Sequence, residues 1–274
     1  MFPKLHLLKE NFFKLDFFKQ KYILTEIFNL KLSLLNDKKQ IDQTINNYLL
    51  FNITKNIIDP IKLELLLEKI YIEHINNNKP LSKIFKRKFF YDRFFKVNKY
   101  VLCPRTETEI LIHLIVKLIP KKIKSFLDLG TGSGALSIIL KNIYRETNIT
   151  AIDICNQALK IAKHNAKKYK LEINFLQNNW LNNINVKFDL LISNPPYLTS
   201  EEIIPELQYD PQLALIGNNN GLEMYEKIYE KKHLFKHIFL EINPKHKKEL
   251  SKLFKNAKFF KDYNKDYRFL YYKY

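Results

Sequence analysis

One ten-residue stretch restricts the fold of this chain more than any other: Phe126-Leu127-Asp128-Leu129-Gly130-Thr131-Gly132-Ser133-Gly134-Ala135. An apolar run of strand character (Ser125 to Leu129) leads into three alternating glycines, and a helical pattern (Ala135 to Tyr144) starts where they end. The whole chain of 274 residues contains only five glycines, about 2% against roughly 7% in ordinary proteins. Three of them within five positions therefore mark a turn that the backbone has to make. Glycine there permits positive φ and lets a ligand lie against bare backbone. The spacing is G-x-G-x-G. Ala135 departs from the G-x-G-x-x-G of dinucleotide binders, and no Gly-Lys-Ser/Thr follows as a P-loop requires.

Strand and helix patterns alternate on both sides of this loop. A helix is expected over Glu107 to Leu118 and another over Asn156 to Tyr169, with strands at Ile149 to Asp153, Ile173 to Gln177 and Phe188 to Ser193. A helix over Leu222 to His233 and strands near Ile238 to Ile242 and Arg268 to Tyr272 complete the series. Such alternation predicts an α/β fold with a mainly parallel sheet covered on both faces. Ligands of these sheets sit beyond the carboxyl ends of the strands, at the topological switch point.

Three strand ends then bring together Asp128 with the glycine loop, Asp153, and the pair Asn179-Trp180. They can meet an amino-acid moiety, ribose hydroxyls and an adenine ring, respectively, which together describe S-adenosylmethionine. Asp153 alone reads equally as a solvated acid before a helix, but the glycine cluster one strand earlier favours the ribose. Trp180, the only tryptophan, is either core or a stacking platform for adenine.

The fourth of these strands stops at Asn194-Pro195-Pro196-Tyr197. Two prolines remove two backbone donors and stiffen the turn, leaving the Pro195 carbonyl without a ladder partner. Beside the side-chain oxygen of Asn194 it makes a pair of acceptors suited to an NH₂ group. An isolated Asn-Pro-Pro-Tyr is only a strand terminator; after a G-x-G-x-G loop it reads as a site that grips an amide or aromatic amine. Tyr197 is expected to pack on the flat face of the substrate group.

Composition mostly excludes. The net charge is +18, yet 41 of the 46 basic residues are lysine and five are arginine. Arginine leads base and phosphate recognition, so the excess reads as a coding bias toward lysine more than as a nucleic-acid footprint. Basic density peaks between Lys83 and Lys99. No apolar run approaches the ~18 to 20 residues of a membrane span, and charges every few residues spoil a signal-peptide core near the N-terminus, so a cytoplasmic protein without membrane contact is expected. Cys103 and Cys155 lie apart with no metal-ligand spacing; neither disulfide nor metal is expected, and both thiols read as buried and inert. Three segments are expected: a helical domain over 1–80, a β-hairpin and linker over 81–104, and the α/β domain over 105–274. Apolar spacing from Tyr22 to Leu34, and a helix start at Asp59-Pro60 with an N-cap acid before proline, support the first.

The motifs Asp128 to Gly134 and Asn194 to Tyr197, preceded by Pro104-Arg105-Thr106-Glu107-Thr108-Glu109, resemble those of the HemK/PrmC-type methyltransferases. The likeness extends through Tyr209-Asp210-Pro211-Gln212 to Gly221-Leu222-Glu223. It implies a seven-stranded, Rossmann-like class I methyltransferase domain after a small helical domain and a short β-hairpin bridge. It implies transfer of a methyl group from S-adenosylmethionine to the side-chain nitrogen (N5) of the glutamine in the Gly-Gly-Gln motif of peptide chain release factors. The resemblance assigns cofactor binding to Asp128, Gly130, Thr131, Gly132, Ser133, Gly134, Asp153, Asn179, Trp180 and Asn194, and substrate binding to Asn194, Pro195, Pro196, Tyr197 and Arg105. The Asn194 to Tyr197 motif resembles equally the nucleic-acid methyltransferases acting on adenine N6 or guanine N2, the alternative reading. Against it stand Arg105 to Glu109 and the lack of room for a base-recognition domain in the 77 residues after Tyr197. A monomer is expected, with the release factor as partner. Three positions depart from the family pattern: Asn179 where an Asp is usual, Thr106 for a proline, and Asn243 for the glycine of Glu-x-Gly.

Overall fold

In the computed structural model the described residues are Glu73, Asn77 and residues 79–120 and 122–274. The helices expected between Tyr22 and Leu34 and after Asp59-Pro60 lie outside them. The chain divides into two compact units, Met1–Phe85 and Lys86–Tyr274. In the first, a single helical turn spans Leu81–Ile84, and the Lys79 ammonium meets the Glu73 carboxylate at 2.7 Å.

The second unit opens with the hairpin β1 (Arg87–Phe90) and β2 (Arg93–Lys96), antiparallel with Phe90 opposite Arg93. Alternation then follows as helix α1 (Thr108–Leu118), β3 (Ser125–Leu129), α2 (Ala135–Ile143), β4 (Asn148–Asp153), α3 (Asn156–Lys168), β5 (Asn174–Gln177) and β6 (Phe188–Ser193). Short 3₁₀ turns fill Ser200 to Ala214, and then come α4 (Glu223–Glu230), β7 (Phe235–Glu241), α5 (Lys247–Leu253), β8 (Lys258–Lys261) and β9 (Tyr267–Lys273). The seven strands β3 to β9 form one sheet in the order β5-β4-β3-β6-β7-β9-β8. β5, β4, β3, β6 and β7 run parallel; β9 runs antiparallel to β7, and β8, antiparallel to β9, returns to the common direction.

The period of two along each strand divides the core between the faces of the sheet. Phe126, Leu190, Ile192 and Phe239 point one way and join Leu111, Ile112 and Ile115 of α1 and Ile138 and Ile139 of α2. Leu127, Leu129, Leu191, Ile238 and Leu240 point the other way and join Tyr225 and Ile228 of α4 and Leu250 of α5. Coverage on both faces is why β3 and β6 read as unbroken apolar runs in the sequence.

Four elements differ from expectation. β8 is the seventh strand, and its Lys-Phe-Phe-Lys is too short and too charged to stand out as one. α5, of seven residues, hides among lysines. The helix anticipated to His233 ends at Glu230, because Lys231 leaves helical geometry (φ −99, ψ 14) and a 3₁₀ turn over Lys232–Leu234 follows. β7 correspondingly starts at Phe235. Among the described residues no helix is long and apolar enough to cross a membrane.

Asn165 ties the hairpin to the sheet. It lies fully buried on α3, accepts from the Lys96 amide at 2.8 Å, and donates to the Lys96 carbonyl at 3.1 Å and to the Ser133 carbonyl at 2.8 Å. One side chain thus joins β2, α3 and the glycine loop.

Candidate active site

A cavity of about 350 Å³, within the ~300–1,000 Å³ of small-molecule sites, opens beyond the carboxyl ends of β3, β4 and β6. The G-x-G-x-G loop forms its floor. Gly130 and Gly132 hold φ of 75° and 55°, line the cavity, and have no protein atom within 4 Å of where a Cβ would stand. A ligand can rest on that backbone. Gly134, in contrast, faces inward, where a Cβ would lie 3.1 Å from the Cβ of Ala162 on α3; its role is helix packing, and it does not line the cavity.

Asp128 lies buried at the end of β3. Its Oδ2 accepts from the Thr131 hydroxyl at 2.6 Å and from the Ser137 amide at 3.2 Å, so it braces the loop and the start of α2. Burial raises its carboxyl to about 6, outweighing those hydrogen bonds, which act in the opposite direction. Asp153 closes β4. Its Oδ2 accepts from the Gly132 amide and its Oδ1 from the Cys155 amide, both at 2.9 Å. Burial raises this carboxyl as well, and the amides of Cys155, Gly132 and Ile154 oppose the shift.

Beyond β5 the expectation divides. Trp180 lines the cavity and also packs against the core beneath it. The polar residue lining the cavity here is Asn178, whose amide donates to the Trp180 and Asn182 carbonyls at 3.0 and 2.8 Å. Asn179 is exposed and does not line the cavity. The left-handed backbone of Trp180 (φ 54) turns the chain so that residues 178 and 180 face inward, which spacing alone does not reveal. Cys155 also differs from expectation: it is half-buried and lines the cavity, whereas Cys103 is buried.

At the end of β6, Asn194 and Pro196 line the cavity. Among the described residues the side chain of Asn194 makes no hydrogen bond and the Pro195 carbonyl takes none from the backbone. Pro195 itself is buried and Tyr197 does not line the cavity. The Tyr197 hydroxyl donates to Glu241 Oε1 at 3.3 Å while its ring packs on the core, so it anchors the turn from behind. Burial, with the Glu241 charge adding to it, holds that phenol far above its ordinary value. Gly217 and Gly221 let a loop close over this turn, since a Cβ at Gly217 would come within 2.5 Å of the Pro196 carbonyl oxygen and one at Gly221 would collide with that of Tyr197.

Arg105 lines the cavity, but its guanidinium pairs with Asp210 (Nη2 to Oδ2, 2.6 Å), whose Oδ1 accepts from the Cys103 amide at 3.1 Å. That clasp joins the wall before α1 to the wall formed by Pro211 to Ala214. Sequence reasoning missed Asp210 and Glu241 as site residues; for Glu241 an acid closing an apolar strand run was the available signal, and Asp210 stands among polar neighbours that give none. The Asn243 departure is harmless, because the residue turns with φ −73 and ψ 131 and caps the following 3₁₀ turn through its own side chain.

Four likenesses bear on this geometry. Residues 106–209 match the Methyltransferase small domain. A T. thermophilus 16S rRNA methyltransferase, solved in complex with AdoMet and guanosine, shares the fold at a TM-score of 0.51 and 16% identity, over 68% of this chain and 49% of that one. The release factor glutamine methyltransferase of Buchnera aphidicola is 36% identical over 215 residues, 73% of this chain and 78% of the relative. The enzyme of the same name from Lactococcus lactis is 34% identical over 218 residues, 77% and 80% of the respective chains. With likeness of this depth over most of both lengths, on a sheet whose strand ends carry the expected motifs, the chain belongs to the release factor glutamine methyltransferase family.

Proposed function

We propose that the chain methylates the side-chain amide nitrogen (N5) of the glutamine in the Gly-Gly-Gln motif of peptide chain release factors, with S-adenosylmethionine as donor. The observation that carries this reading is the turn after β6: Asn194, without an internal partner, faces a cavity floored by bare glycine backbone. The names of the two relatives support the substrate. The residues present fit the donor, since space is open above Gly130 and Gly132 and Asp128 and Asp153 bring negative charge to its two polar ends.

S-adenosylmethionine supplies an electrophilic sulfonium methyl. Asp128 would hold its ammonium and Asp153 its ribose hydroxyls, while Trp180 would offer its ring to adenine. Asn194 Oδ1 and the Pro195 carbonyl accept one hydrogen bond each from the substrate NH₂. An amide lone pair is delocalised into the carbonyl, and holding both N–H groups aims it at the methyl; positioning of this kind supplies much of the rate. The substrate nitrogen would take the methyl as the sulfonium S–C bond breaks, the electron pair staying on sulfur as a neutral thioether, and would then shed one proton to solvent, so no side chain has to act as a strong base. Action as a monomer in the cytoplasm belongs to the same proposal.

The test supplies labelled S-adenosylmethionine with release factor, with release factor whose motif glutamine is replaced, and with nucleic acid. Label on intact release factor alone is expected; label on nucleic acid and none on release factor sinks the proposal. Asn194→Ala should abolish transfer, with a fall of about 100-fold or more, and leave the far-ultraviolet dichroism unchanged.

A further inference from the structure

Glu241 is the last residue of β7, 2% exposed, beside the end of β6 where Ser193 pairs with Leu240. Both carboxylate oxygens are in use. Oε2 accepts from the Thr108 hydroxyl at 2.7 Å and Oε1 from the Tyr197 hydroxyl at 3.3 Å. The nearby Arg268 favours its charge, while burial and the Glu107 carboxylate oppose it. An ion kept in such a place is expensive, and an apolar residue would pack there as well or better. Its two partners indicate why it is retained. Thr108 lines the cavity at the start of α1, and Tyr197 is the last residue of the turn that faces the substrate. Within the turn itself two prolines offer no N–H and the Asn194 side chain makes no bond among the described residues; its other ties lie just beyond it, where the Leu198 amide donates to the Leu215 carbonyl and the Leu198 carbonyl accepts from the Gly217 amide.

We propose that Glu241 is a positioning residue that sets the Asn194–Tyr197 turn against the Thr108 wall of the cavity. The inference rests on the proposed methyl transfer for its kinetic consequence, but its structural content is independent of the substrate. Held from behind through Tyr197, the turn presents Asn194 and the Pro195 carbonyl at a fixed separation from the glycine loop. Released, it lets the two acceptors drift while the loop and its acids stay in place. Substrate alignment would then suffer and donor binding would not.

Glu241→Gln keeps an oxygen to accept from Tyr197 and an NH₂ to donate to the Thr108 hydroxyl; Glu241→Ala keeps neither. Three readouts are compared in the full chain: steady-state transfer to release factor, donor affinity followed through the fluorescence of the single tryptophan, and amide exchange by mass spectrometry. The expected result for Glu241→Ala is a fall in kcat of about 100-fold, KM and donor affinity of the same order as wild type, and faster exchange confined to the peptide around residues 190–203. Glu241→Gln should restore most of kcat and protection. Wild-type kcat and exchange in Glu241→Ala overturns the proposal, and so does joint loss of donor affinity with exchange spread through the sheet, which would make Glu241 a general fold determinant. Should Glu241→Ala fail to fold, Tyr197→Phe decides: the same kcat loss and local exchange support the proposal, and their absence refutes it. A wild type that methylates no release factor sinks the proposed function, while the exchange comparison still judges the hold of Glu241 on the turn.

Discussion

Asp128 shows how one residue links fold stability to ligand binding. Its carboxyl is raised by burial from an ordinary 3.8 to about 6, so the folded, ligand-free protein holds a proton there more tightly than the unfolded chain does. Ionising it therefore weakens the fold as pH climbs from about 4 to about 6, by up to about 3 kcal/mol once ionisation is complete. Denaturant unfolding across that range should show wild type losing stability relative to Asp128→Asn. A bound ammonium group reverses the balance, since it favours the ionised acid. Calorimetric titration should thus find donor affinity highest above pH about 6 and falling by up to tenfold per unit below it, with a flatter profile in Asp128→Asn. The sequence made Asp128 legible because a strand end followed by glycines is a local pattern. It did not show that Thr131 and Ser137 brace the acid, because that depends on how the loop curls.

Among the elements, the hairpin depends most on a contact that spans the sequence. Its antiparallel pairing over four residues a side is marginal by itself. Phe90 and Phe95 enter the core, and Asn165, 69 residues beyond Lys96, saturates the edge of β2. Asn165→Ala leaves the part-buried Lys96 amide and carbonyl and the buried Ser133 carbonyl short of a partner, and should cost about 2–3 kcal/mol by urea unfolding. Loosening should also reach the glycine loop, through Ser133. The hairpin was legible as a β-prone aromatic stretch, but a buried asparagine among helical alanines and lysines gives no sign of which edge it serves. β8 stayed hidden for a related reason: a four-residue strand at a sheet edge carries little pattern of its own, and its antiparallel partner β9 gives it identity.

For the molecule as a whole, the clasp between Arg105 and Asp210 matters more than the overall charge. Arg105 keeps 38% of its side chain exposed while Asp210 keeps 2%, so removing the arginine takes the opposite charge away from a buried acid that still holds the Cys103 amide. Arg105→Ala should lower stability by about 2 kcal/mol, below the ~3–5 kcal/mol of fully buried pairs because solvent reaches one partner. It should raise KM for release factor more than it lowers kcat, since the clasp shapes a wall and leaves Asn194 in place; steady-state kinetics and a thermal melt check both. The sequence by itself determined the glycine floor, the order of strands and helices up to β7, and the Asn-Pro-Pro-Tyr turn. Each of these is written in neighbouring residues through backbone freedom, apolar period and missing donors. Only the tertiary structure decided that Tyr197 turns to Glu241, that Asn178 replaces Asn179 at the cavity, and that Asp210 answers Arg105. Those pairings join residues up to 105 positions apart or depend on a single left-handed turn at Trp180, and only the closed sheet brings them within hydrogen-bond reach.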